Sequence, residues 1–359
     1  MRKTFLLLGF IAMVAMAVAQ APSNYYNAAN GLTGNQLKVA LHNIIKNHTT
    51  ISYGQLWNAY WSTDNKGNGV VWDMYSDIPG GTPPYTYEMG TDQCDGTGCS
   101  QSQVEGICYN REHSWPQSWF NEQSTPRTDL HHIFPTDCWV NYERSNNPYG
   151  EVRSGTTFRN GSKLGPCKTP GYTGTVFEPI DEYKGDFARA YFYMSVRYYG
   201  EDSGWKSSDM TDKSEIKPWA MAMLLRWNKL DPVSQKEINR NNVIYNDYQH
   251  NRNPFIDHPE YADMIWDPNW TLTNNDSESS IAIYPNPVQR GGTLSLYVGS
   301  RQVDQVAIYD LSGRLLLQLH VTSDEIPTLT LPNELQSGFY LLRLIDGNRV
   351  VMNRKLLII

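Results

Sequence analysis

The sequence predicts an α+β protein in two parts: a mainly helical domain built round a strand, strand, helix unit, followed by a small all-β sandwich. Three observations predict it. Upstream of residue 270, apolar residues recur at helical spacing in several long segments rich in Trp and Tyr. In the middle of that region a strand ends in Glu112-His113, and a second strand and a helix carrying Asn141 follow. Beyond residue 280 the pattern changes to short alternating apolar runs separated by Gly, Asn and Asp turns.

Taken in order, the chain opens on Arg2 and Lys3, an apolar run and Ala17-Val18-Ala19, the layout of a cleaved secretory signal over residues 1–19. The run is shorter than the ~20 residues a membrane span needs, and no later stretch could cross a bilayer, so the mature chain is expected to lack a transmembrane segment. Thr33 is a candidate cap for a helix through Leu37, Ala40, Ile44 and Ile45. Residues 184–200 and 217–230 are stronger helix predictions, and Asp231-Pro232 reads as the start of another. The polar stretch TLTNNDSESS, 271–280, reads as a linker between a first domain over 20–270 and a second over 281–359. In the second, the DLSGR and DGNR stretches read as hairpin loops.

The five cysteines, Cys94, Cys99, Cys108, Cys138 and Cys167, lie in one segment. In an exported chain disulfides are the default, and an odd count leaves at least one thiol outside the internal pairs. No CxxC spacing occurs, which argues against a structural zinc site. The formal net charge is −7, and the first domain carries the acidic excess. That balance speaks against a DNA-binding scaffold and for weak, local contact with nucleic acid through a basic groove, for which Arg111, Arg127, Arg144 and Arg153 are candidates.

The Glu112-His113 pair poses a geometric problem, because successive side chains on a strand face opposite ways. They converge only where the strand ends or bends, and Pro116 gives a reason to end. The return strand is read through Leu130 to Phe134, broken at Pro135, with Thr136 or Asp137 capping the helix. On that helix Asn141, Arg144 and Ser145 fall on one face.

Two resemblances carry these readings further. Tyr284-Pro285-Asn286-Pro287, Asp310 to Arg314, Gly338 to Arg343 and Lys355 to Ile358 resemble a type IX secretion sorting domain. That implies partnership with the type IX machinery and a secreted or cell-surface location reached through the periplasm. No Trp lies beyond Trp270, so a sugar-binding sandwich with Trp platforms is disfavoured.

The first domain resembles the bacterial endonuclease I family, which has a ββα-metal (His-Me finger) site. The matching residues are Glu112-His113 with Pro116, Asp129-Leu130-His131 with Pro135, and Val140-Asn141 with Arg144-Ser145-Asn146; looser likeness includes VWDMYSD, 71–77. The resemblance implies a metal-dependent endonuclease acting on DNA, and on RNA as an extension; the acidic charge of the first domain speaks for little sequence preference, and a monomer is expected. His113 is the implied general base. Glu112 and Asn141 are the implied metal ligands, oxygen donors that suit Mg²⁺, with Ca²⁺ or Mn²⁺ as alternatives. An arginine on the scissile phosphate is implied as well, with Arg127 and Arg144 as candidates, Arg144 alternatively pairing with Asp129 or Glu151. His131 matches the family histidine and is read as support for the site, while His132 is expected to face away. A zinc-dependent or other phosphodiester hydrolase, and a non-catalytic cell-surface nucleic-acid-binding protein, are the competing readings.

Overall fold

The computed structural model describes residues 21–94, 104–267, 282–297, 303–310, 313–320, 328–347 and 349–359. The predicted leader, Cys99 and the predicted linker lie outside the described residues.

The first region is organised around one helix. α1 (Gly34–Ile45) and α2 (Gln55–Thr63) precede the strand pair β1 (Tyr109–His113) and β2 (Ile133–Asp137), which leads into α3 (Cys138–Arg144). Then come α4 (Lys184–Arg197), α5 (Pro218–Leu230) and α6 (Gln235–Val243). All 14 residues of α4 are buried. A helix buried all round tolerates polar groups only where they are paired. Accordingly Arg189 bonds Glu237 and Asn228, and Asp186 bonds Lys236. The aromatic faces of α4 and α5 are core packing.

Two helix starts differ from expectation. Thr33 occupies the N-cap position of α1 in extended backbone, but its hydroxyl makes no capping bond. The helix expected to start at Asp231-Pro232 begins instead at Gln235, where Ser234 and Glu237 form a reciprocal capping box. Asp231 is engaged elsewhere: its Oδ2 accepts the Gly185 amide, 2.8 Å, at the first turn of α4.

β1 and β2 pair antiparallel, with Glu112 opposite Phe134 and His113 opposite Ile133. The return strand therefore starts later than its sequence suggests and runs through Pro135 to Asp137. A two-stranded ladder leaves each strand an open edge, where a missing proline N–H costs no sheet bond. Leu130–His132 form a 3₁₀ turn instead of strand. Asp137 does cap α3, its side chain accepting the Val140 amide at 2.8 Å. Arg240 of α6 fixes this corner by donating to the Leu130 carbonyl, 2.7 Å, the Ile133 carbonyl, 2.8 Å, and Asp64, 2.9 Å.

Cys94 and Cys108 form a disulfide, Cys138 is disulfide-bonded as well, and Cys167 is a buried free thiol. The sulfurs of Cys94, Cys108 and Cys138 lie within 4.8 Å of one another, but all three are disulfide-bonded, which leaves no thiolate trio for zinc.

The C-terminal region is strand-rich. β3 (Ala282–Tyr284), β4 (Thr293–Tyr297) and β7 (Thr328–Thr330) form one sheet. β6 (Leu315–His320), β5 (Gln305–Tyr309), β8 (Gly338–Asp346) and β9 (Arg349–Ile358) form another, in that order. Both contribute to one core through Leu294, Leu329, Ile308, Leu342 and Leu356. The two predicted hairpin loops fall between β5 and β6 and between β8 and β9. No helix among the described residues is long and apolar enough to cross a membrane.

Candidate active site

Glu112 and His113 are the last two residues of β1, and both line one cavity of about 570 Å³ together with Asn110, Arg111, Gln117, Asn141 and Tyr142. The strand end thus does what the adjacency required, bringing consecutive side chains to a single space.

Glu112 is 2% exposed, and its Oε1 is held from behind. Tyr75 donates to it at 2.8 Å and Arg144 Nη1 at 2.9 Å. The Tyr149 hydroxyl has one proton and lies 2.8 Å from Tyr75 but 3.4 Å from Glu112, so a relay from Tyr149 to Tyr75 to Glu112 fits best. Burial raises the Glu112 carboxyl above the usual range, opposed by Arg144 and the tyrosine bonds. Its Oε2 accepts no hydrogen bond among the described residues.

Arg144 is committed to this inner wall. Beyond Glu112 it donates to the His113 carbonyl, 3.1 Å, and the Ser114 carbonyl, 2.7 Å, and it is 1% exposed. Its carboxylate partner is Glu112, not Asp129 or Glu151. The helix end behind it is tight, since Ser145 follows with φ of 51°.

Asn141 projects from α3 to Asn110, donating from Nδ2 to Asn110 Oδ1 at 2.7 Å. Its own Oδ1 accepts nothing among the described residues. Asn110 lies two residues before Glu112, on the same face of β1. Two oxygens, one carboxylate and one amide, therefore line the cavity without partners, a donor set that fits a hard divalent cation.

His113 Nε2 lies 3.1 Å from the Arg127 carbonyl. A carbonyl only accepts, so the proton resides on Nε2 and the Nδ1 lone pair is left able to accept a proton. Burial first, then His132 and the charges of Arg127 and Arg111, push the imidazole down to about 3, so it is neutral near pH 7.

The expectation for the two neighbouring histidines is reversed. The ring beside His113 is His132, 5.7 Å between centroids, with Nε2 2.7 Å from the Pro126 carbonyl. His131 instead packs tilted against Tyr193, 4.5 Å between centroids, and reaches the Asn251 carbonyl. Strand alternation failed as a guide because these residues lie on a 3₁₀ turn.

The outer wall is a stack of charge and rings. Arg111 and Arg127 sit over the Tyr53 ring at 3.8 and 4.3 Å, and Arg127 Nε donates to Gln117 at 2.9 Å. Arg127 has no carboxylate partner among its described contacts. Arg153 is exposed and does not line the cavity.

Sequence reasoning missed Tyr75, Tyr149, Asn110, Tyr53 and Gln117. Asn110 was discoverable from its i−2 spacing to Glu112, and Tyr75 lies in the VWDMYSD stretch. Tyr53 and Tyr149 arrive from distant segments with no local signal.

The family described as Endonuclease I matches residues 33–260, and that described as a secretion system C-terminal sorting domain matches residues 282–359. The chain is 42% identical over 254 residues to an extracellular ribonuclease of Bacillus amyloliquefaciens, covering 67% of this chain and 78% of the relative. It is 39% identical over 271 residues to an extracellular ribonuclease of Bacillus subtilis (strain 168), covering 71% and 84%. A shorter match, 33% over 130 residues, joins it to Endonuclease-1 of Buchnera aphidicola subsp. Baizongia pistaciae, covering 36% and 46%.

Proposed function

Because the chain belongs to the endonuclease I family and is a secreted nuclease with a sorting tail, we propose that it hydrolyses phosphodiester bonds of DNA and RNA with little sequence preference, using a ββα-metal site. The observation that carries this reading is the pairing, in one cavity, of a His113 base nitrogen with the unpartnered oxygens of Glu112 and Asn141.

Glu112 and Asn141 would hold the cation, Mg²⁺ in preference to Ca²⁺ or Mn²⁺. Bound there, it would supply charge neutralisation on the scissile phosphate and the leaving 3′-oxygen. His113 takes a proton from the attacking water at Nδ1, while its Nε2–H stays with the Arg127 carbonyl and fixes the ring. Arg127 is assigned to the phosphate, since it lies over the ring of Tyr53 and bonds Gln117, two residues that line the cavity, and has no carboxylate partner among the described residues. Arg144 is assigned to holding Glu112 in position. His132, against His113, takes the supporting part that the resemblance gave to His131.

RNA is included because two relatives covering most of their length are named ribonucleases. Residues 1–19 are assigned to the leader, 20–270 to catalysis, 271–280 to the linker and 281–359 to the address read by the type IX machinery. A single chain supplies the whole constellation, which supports action as a monomer.

The test is cleavage of plasmid DNA and of a structured RNA with Mg²⁺, with and without chelator. Cutting of both, abolished by chelator, is expected. Undiminished cutting in chelator would overturn the metal assignment, and no cutting of either polymer would overturn the nuclease reading.

A further inference from the structure

The aromatic residues of the cavity are not equivalent. Tyr53 already carries Arg111 and Arg127 against its ring, at 3.8 and 4.3 Å, so its faces are taken. Tyr142 lines the same cavity from α3, directly after Asn141, and is 52% exposed. Its ring is backed by Trp139 one turn earlier, 5.3 Å between centroids and 22° between planes. Its hydroxyl makes no hydrogen bond among the described residues. The result is a flat ring held on one face and open on the other, one residue from a proposed metal ligand.

An i, i+3 aromatic pair also stabilises a short helix by a few tenths of a kcal/mol, and any apolar residue at 142 would serve that purpose. That role alone gives no reason for a large ring to stay half exposed at a cavity wall. We propose that Tyr142, braced by Trp139, is a stacking platform for a nucleobase next to the scissile phosphate, and that it makes the site favour single-stranded nucleic acid. The inference rests on the nuclease reading and adds the form of the substrate.

The physical reason is access. In a duplex the bases stack on one another and present only their edges, whereas an unpaired strand offers a base face to any open ring. Every base has such a face, so the platform favours single strands without reading sequence. It also suits an acidic protein: with few cations to hold the backbone, stacking supplies affinity that phosphate contact alone does not.

The experiment measures binding separately from cutting. A fluorescein-labelled 12-mer oligothymidylate and a blunt duplex are titrated with the full chain at low salt in EDTA, and followed by anisotropy. Tyr142→Ala is expected to weaken binding of the single strand about tenfold and of the duplex less than twofold. Tyr142→Phe should bind as the parent does. Tyr142→Leu keeps an apolar contact with Trp139 but loses the stack, so it should behave as Tyr142→Ala with an unchanged Tm. Single-strand binding by Tyr142→Ala within twofold of the parent, equal losses on strand and duplex, full binding by Tyr142→Leu, or no saturable binding by the parent would each overturn the proposal. Cleavage by the parent with Mg²⁺ is measured in parallel. Tyr142-dependent binding without any cleavage would support the platform and condemn the nuclease reading alone.

Discussion

The inner wall of the cavity and its outer wall use the same residue types to opposite ends. Behind Glu112, the Arg144 guanidinium is buried and spent on Glu112 and two backbone carbonyls, with Tyr75 and Tyr149 closing the space around it. Behind Tyr53 and Gln117, which line the cavity, Arg127 is held by a ring and one amide oxygen and has no carboxylate partner among the described residues. A buried cation whose two terminal nitrogens are bonded from within can position a neighbour but is poorly placed to take up a substrate, because a new partner there would have to replace bonds made in low dielectric. A cation resting on an aromatic face retains donors for phosphate. On that difference rests the proposal of structure for one arginine and chemistry for the other, and substitutions on each side test it.

The largest effect is expected where the walls meet. His113→Ala should lower kcat by about 10²–10⁴-fold, since it removes the group proposed to accept the proton in the transition state. Metal affinity, measured by calorimetry, should stay near that of the parent because no proposed ligand is lost. Activity within tenfold of the parent would break the assignment of the base.

On the inner wall, Arg144→Met should act on folding before it acts on chemistry. It leaves Glu112 buried without its cation and takes one of two donors from the Ser114 carbonyl, which keeps Tyr191, a loss of about 3–5 kcal/mol. Chemical denaturation reads this directly. A variant as stable as the parent yet inactive would place Arg144 on the substrate and erase the contrast between the walls.

Arg127→Ala on the outer wall should do the reverse. The expected loss in kcat/KM is about ten- to hundredfold, the scale of one charged hydrogen bond to phosphate, with Tm unchanged. A fall in Tm comparable to that of Arg144→Met would mean that both arginines are structural.

The contrast also explains what the sequence could disclose. The Glu112-His113 pair, the Asp137 cap and Asn141 were legible because strand alternation, capping and helical spacing are local rules. Arg144 could be named, but its partner could not, since the choice among Glu112, Asp129 and Glu151 depends on where β1 ends relative to α3. His131 and His132 were exchanged because a 3₁₀ turn replaced the expected strand, which rotates each side chain away from its alternating position. The Tyr149 to Tyr75 relay joins segments with no shared local pattern, and only the packed core brings them together. The C-terminal strands were the most legible, because period-two patterning and Gly turns are read directly from the chain.

The smallest effect concerns what supports the inner wall from beneath. Asp73 is fully buried; its Oδ1 accepts the amides of Tyr75, 2.7 Å, and Asp137, 3.0 Å, the residues that contact Glu112 and cap α3. Its Oδ2 has no hydrogen-bond partner among the described residues. Burial, then the neighbouring Asp137 carboxylate, push Asp73 up to about 7. A carboxyl whose folded pKa exceeds its unfolded value of 3.8 binds its proton more tightly in the native state, so its contribution to stability is greatest at low pH. That contribution is lost as pH rises from about 4 to about 7 and is absent above. Asp73→Asn keeps an oxygen for both amides and cannot ionise. It should therefore be more stable than the parent at pH 8, by about 1–2 kcal/mol once the weaker accepting power of a neutral amide is allowed for, with the advantage shrinking toward pH 5. Denaturation of both proteins at the two pH values gives the difference free of the other titrating groups they share. An advantage that is equal at both pH values, or that grows toward pH 5, would show that Asp73 is ionised at no cost and that the floor of the inner wall is as well solvated as the outer one.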